Sequence, residues 1–98
     1  MKRNIIFGAG VFGRDALNHY GEDTVAFFVD NSPVKQGTIY CNRKVLSLDD
    51  AIEMGEEFHY IVASLYYASM EKTLTEKGIS DYEIFRNENH GFFGKNRI

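Results

Sequence analysis

Three glycines in the run Gly8-Ala-Gly10-Val-Phe-Gly13, followed roughly twenty residues later by Asp30, have the types and spacing to hold a diphosphate and a ribose. A glycine turn between a strand and a helix aims the unpaired N–H groups of the helix N-terminus, with their partial positive charge, at the space above the strand. Phosphate is the usual occupant of that space. Each glycine has a mechanical role: Gly8 permits the tight turn, Gly10 lets backbone approach a diphosphate, and Gly13 lets the helix pack close to the strand. Asp30 can accept hydrogen bonds from vicinal ribose hydroxyls and would repel a 2′-phosphate, so a nicotinamide ligand here would be NAD rather than NADP. The competing reading is plainer, with glycines that serve helix–strand packing alone and an aspartate that caps a turn.

Around this cradle the sequence offers few other groups. Arg14 is the first cation after it and either reaches a phosphate or lies on the solvent face of the helix. Lys35 follows the Asp30 turn and reads as a solvated loop lysine, with contact to the same ligand as the alternative. Ser64 and Tyr66 fall on the expected ligand rim, although Tyr66 shares a helical stripe with Met70 and Leu74 and so also reads as core. Catalytic constellations are absent. Tyr67 and Lys72 are one residue too far apart for the Tyr-x-x-x-Lys pair of short-chain dehydrogenases. His19, His59 and His90 show no metal-ligand spacing and no adjacent nucleophile, so no metal is expected. Asp49 and Asp50 read as helix-start residues and Glu56-Glu57 as a solvated helix end.

The elements that must position the cradle alternate between strand and helix. Ile5-Ile6-Phe7 leads into the glycine turn and a helix carrying Phe12, Ala16, Leu17 and Tyr20, which Gly21 closes. Val25-Ala26-Phe27-Phe28-Val29, the core of a strand from Thr24 to Val29, is continuously apolar, as in a parallel strand covered on both faces. Asp30-Asn31-Ser32-Pro33 ends it in turn chemistry. Between Val34 and Lys44 the signal is weak, with short extended pieces at Thr38–Tyr40 and Val45-Leu46. Ser47 with Asp50 forms a capping-box-like start to a helix through Ala51, Ile52 and Met54. Tyr60 to Ala63 is the fourth main strand, followed by a helix ending at Gly78-Ile79 in a Schellman pattern, and Tyr82 to Phe85 is the last strand. This order implies an α/β, small three-layer Rossmann-like domain with a mostly parallel sheet of four or five strands. Its ligand is expected beyond the strands' carboxyl ends, where the first and fourth βα connections diverge.

Length and composition bound the rest. The 98 residues, 44% hydrophobic with net charge −3, describe one globular domain, residues 1–86, with a polar tail or linker over 87–98. No Lys/Arg stripe offers a nucleic-acid footprint, and no window approaches the ~18 apolar residues of a membrane span. Arg14 and Asp15 interrupt the N-terminal apolar run, which argues against a secretory signal. One cysteine, Cys41, has no internal disulfide partner, so a reducing, cytoplasmic setting is expected.

Together, the strand ending in Gly8-Ala-Gly10-Val-Phe-Gly13-Arg14, the strand ending in Phe28-Val29-Asp30-Asn31, Lys35-Gln36-Gly37, and Val45-Leu46-Ser47-Leu48 before a helix resemble the Rossmann-like N-terminal domain of bacterial surface-glycan enzymes. These include sialic-acid and bacillosamine-type acetyltransferases and related glycosyltransferase-, epimerase- and methyltransferase-associated domains. The resemblance spans roughly Asn4 to Phe85 and implies at most binding of the nucleotide diphosphate of a sugar donor through Gly8, Gly10, Phe12 and Gly13, with Asp30 and Asn31 near the base or ribose; the glycine and Asp30 spacing leaves NAD as the other ligand. No hexapeptide repeat follows Phe85, so acetyltransferase activity is not implied. Nor does this chain have the glycine that the family often places before the Val45 strand, where Cys41-Asn42-Arg43 stands. The expectation is a nucleotide-binding module without a catalytic apparatus of its own, attached to or partnered by a catalytic domain. Two alternatives stand: a fragment of an NAD-dependent sugar epimerase or dehydrogenase, and a non-binding domain that mediates homo-oligomerisation through a sheet edge.

Overall fold

Alternate residues of the central strands point to opposite sides of one sheet, and each side is closed by helix. The computed structural model describes residues 2–86. Its elements are β1 (Arg3–Phe7), α1 (Val11–Tyr20), a 3₁₀ turn (Glu22–Thr24), β2 (Val25–Val29), β3 (Ile39–Tyr40), β4 (Arg43–Leu46), α2 (Leu48–Glu53), β5 (Phe58–Val62), α3 (Tyr67–Glu76) and β6 (Tyr82–Ile84). The sheet order is β3-β4-β2-β1-β5-β6, parallel throughout except for the β3–β4 hairpin. Ile5, Phe7, Phe27, Val29, Tyr60 and Val62 pack on one face against Leu48 and Ala51 of α2 and Met70 and Leu74 of α3. On the other face, Ile6, Phe28, Val45 and Ile61 pack against Ala16 and Leu17 of α1. With side chains alternating along a strand, burial on both faces demands the continuous apolar runs seen in β1, β2 and β5.

Six strands form rather than four or five, because both extended pieces in the weak segment pair. The hairpin turns on Cys41 and Asn42, with φ of +51° and +62°. Positive φ at both central residues is what a two-residue hairpin needs to match the twist of its strands. Asparagine tolerates this conformation; cysteine bears strain in it. Arg43 ties the hairpin inward, donating from Nε to the Val25 carbonyl (3.0 Å) and from Nη2 to the Glu22 carbonyl (2.6 Å).

The helix ends follow local chemistry. Ser47 caps α2, its hydroxyl accepting the Asp50 N–H at 3.1 Å. At the end of α3 the Ile79 N–H reaches the Leu74 carbonyl (2.9 Å) and the Gly78 N–H the Thr75 carbonyl (3.0 Å), the paired bonds of a Schellman motif, with Gly78 at φ +80°. Tyr66 departs from its core reading. The Ser64 hydroxyl accepts the Tyr66 N–H at 3.0 Å and holds 64–66 as a turn, so α3 begins one residue later and Tyr66 stands 76% exposed. Tyr67 packs against the core in its place. No helix among the described residues is long and apolar enough to cross a membrane. The expected tail over 87–98, and His90 within it, lie outside the described residues.

Candidate functional site

A cleft of about 580 Å³ opens at the carboxyl ends of β1, β2 and β5, where the chain leaves β1 for β2 on one side and returns to β5 on the other. Its floor is the loop Gly8-Ala9-Gly10 with Val11 and Phe12 at the start of α1. One wall is Asp30, Asn31 and Lys35, and the other runs from Ala63 to Tyr66 with Ser69 and Met70.

The three glycines differ in what surrounds them. Gly8 has φ +125°, and a Cβ there would stand 2.4 Å from the Ala63 carbonyl oxygen; a Cβ on Gly13 would stand 1.9 Å from the Gly8 carbonyl oxygen. Both are closed positions where backbone meets backbone. Gly10 is open: among the described residues outside its chain neighbours, the one atom within 4 Å of its Cβ position is Lys35 Nζ at 3.8 Å. Gly10 also begins α1, whose N-terminus has no side-chain cap and no acid in its first turn. The positive end of a helix of this length therefore faces the cleft through backbone alone.

Asp30 sits beneath the glycine loop, its side chain 13% exposed. Oδ2 accepts the Ala9 N–H at 2.8 Å and Oδ1 accepts the Ser32 N–H at 2.9 Å. A carboxylate offers about four acceptor directions, so capacity for a ligand hydroxyl remains. Lys35 is exposed in a loop, as expected from sequence, and its side chain also reaches the glycine loop. Its Nζ donates to the Ala9 carbonyl at 3.0 Å and stands 4.0 Å from Asp30 Oδ2. Tyr40 completes the support, its hydroxyl donating to the Gly10 carbonyl at 2.9 Å while its ring meets Phe28 edge-on. Burial, and then the neighbouring Cys41, push the Tyr40 phenol above its ordinary value and keep it a donor. Tyr40 has no local signal that marks it, and the Lys35 and Tyr40 side chains reach the loop across 26 and 30 residues of sequence.

Of the other expected site residues, Phe12 is half-buried and Asn31 exposed, and both line the cleft. Ser64 is also at the cleft, with its hydroxyl engaged by the Tyr66 N–H. Gly13 is buried behind the floor. Arg14 lies exposed on α1, away from the lining. His59 is far from the cleft, at the amino end of β5, where its ring nitrogens face Asp81 (2.7 Å) and Glu83 (3.2 Å) on the β6 side. Among the described residues no group of three or more His, Cys, Asp and Glu side chains is placed to hold a metal ion. No protein-family model matches the chain, and no curated protein matches it. The geometry of the cleft is therefore the basis for its reading.

Proposed function

We propose that this chain is a Rossmann-like nucleotide-binding domain whose cleft takes the diphosphate of a nucleotide sugar or NAD. In this reading it serves as a cytoplasmic module of a bacterial glycan-biosynthesis protein. The observation that carries the reading is the contrast among the glycines: Gly8 and Gly13 are closed by backbone, whereas Gly10 faces open space beside a lysine ammonium. Close packing accounts for the first two, whereas Gly10, the cap of α1, has open space above it. A diphosphate over Gly10 would meet the helix N-terminus and Lys35 together, with Asp30 within reach of a ribose. The cleft also lies within the roughly 300–1,000 Å³ range of small-molecule sites. We assign any chemistry on the bound ligand to an attached or partner domain.

The test is an amide-shift titration of the chain with UDP-sugars, NAD and coenzyme A. A nucleotide ligand is expected to move the resonances of Gly8 to Arg14 and of Asp30 and Asn31. Silence of those resonances toward every one of these compounds overturns the proposal.

A further inference from the structure

Lys35 is held through its backbone and, separately, through its side chain. Its backbone N–H donates to the Ser32 carbonyl at 3.0 Å, and its carbonyl accepts the Thr38 hydroxyl at 2.6 Å. Gln36 next to it donates through its side chain to the Asp30 carbonyl at 2.8 Å. These bonds hold residues 30–38 as a folded turn, and from it the lysine side chain crosses to Ala9. The bond from Nζ to the Ala9 carbonyl orders this long side chain at a cost in rotamer freedom. The ammonium has three donors; one meets the Ala9 carbonyl, and the side chain remains 48% exposed on the cleft side.

We propose that Lys35 is the anion-reading side chain of the cleft, in the role for which Arg14 was one candidate. The inference rests on the reading of the cleft as a phosphate site and adds which side chain meets the phosphate. The ammonium is 3.8 Å from the Cβ position of Gly10, where the floor is most open, so a phosphate oxygen on that floor falls within its reach. Arg14 has no place in the lining. The same geometry removes the charge argument against a 2′-phosphate, because Lys35 stands beside the Asp30 carboxylate and offsets it.

Inorganic pyrophosphate is the direct probe, titrated at low ionic strength into the chain and into K35Q, K35R and R14Q, with thermal melts to show that each variant is folded. Loss of a charge-assisted hydrogen bond is expected to weaken pyrophosphate binding by about tenfold or more in K35Q. K35R should stay within about threefold of the parent chain and R14Q should match it, since a cation persists at position 35 in both. Equal binding by K35Q and the parent chain, a larger loss in R14Q, or no binding to the parent chain overturns the role of Lys35. UDP and ADP in the same titrations separate the two claims. If both bind no more tightly than pyrophosphate, the nucleotide reading fails while the assignment of Lys35 stands.

Discussion

Substituting alanine at Gly13 and at Gly10 separates the packing role of the glycine turn from its proposed binding role. At Gly13 the added methyl would lie 1.9 Å from the Gly8 carbonyl oxygen and 3.2 Å from Cε1 of Phe28. The oxygen belongs to backbone pinned by the Gly8 N–H bond to Val29 (2.7 Å), so relief requires α1 to move off the sheet by more than an ångström. Overpacking of this kind costs about 3 kcal/mol at the upper end of its usual range, and alanine returns at most about 1 kcal/mol through helix propensity. The clash therefore wins by ~2 kcal/mol, or ~8–16 °C in Tm for a domain of this size.

Gly10→Ala meets only the end of the Lys35 side chain among the described residues, at an ordinary 3.8 Å, and has φ −147°, which any residue adopts, so its cost is limited to the roughly 0.5–1 kcal/mol by which glycine exceeds alanine as a cap. In the proposed reading its methyl occupies the place of the diphosphate, and nucleotide binding should fall at least tenfold while Tm falls by ~2–8 °C, less than in Gly13→Ala. Urea unfolding and thermal melts read the first effect, and amide-shift titration the second. A Gly13→Ala chain as stable as the parent refutes the packing argument, and a Gly10→Ala chain that binds nucleotide normally refutes the floor assignment.

Removal of the α2 cap in Ser47→Ala should lower stability by about 1 kcal/mol in urea unfolding, because the Asp50 N–H loses its acceptor. On the acid side, Lys2 and then His59 hold the Asp81 carboxyl below its ordinary 3.8, and Arg3 holds Glu56 below its ordinary 4.5. A depressed folded pKa contributes stability above the unfolded value and loses it as pH falls, so the urea midpoint should drop below pH 4.5, less steeply in Asp81→Asn. On the alkaline side, burial raises Tyr20, Tyr40 and Tyr60 above 10.0, and the Glu71 carboxylate first and then burial raise Tyr82. The stability they contribute is present below pH 10.0 and declines above it as the unfolded chain ionises first, a slope that Tyr60→Phe should reduce.

What could be read from the sequence was set by interactions of short range. The glycine turn between β1 and α1, the Ser47 cap and the Gly78-Ile79 ending each depend on a few consecutive residues, and each lies where the local pattern places it. Tyr66 misled because its spacing to Met70 and Leu74 suits a helix face, whereas the Ser64 hydroxyl bond, which starts the helix later, leaves periodicity untouched. The β3–β4 hairpin was obscure for a different reason. Its turn uses Cys41 and Asn42 at positive φ where a glycine would have announced it, and β3 pairs over only two residues. Strand propensity carries little signal over so short a stretch.

The segment least legible in sequence is also the one that shapes the cleft. Asp30, Lys35 and Tyr40 bind in turn the N–H of Ala9, the carbonyl of Ala9 and the carbonyl of Gly10. The glycine loop would otherwise be free to sample the wide conformational range that glycine permits. Clamped through its peptide groups from the 30–40 side, it keeps Gly10 open toward the cleft without any side chain of its own. Such a clamp requires the hairpin, because Tyr40 reaches Gly10 only when β4 lies beside β2 and the Cys41-Asn42 turn folds β3 back against it. The strain at Cys41 is therefore tied to the floor of the cleft: the turn that carries it brings the Tyr40 hydroxyl to the loop where the proposed phosphate would sit.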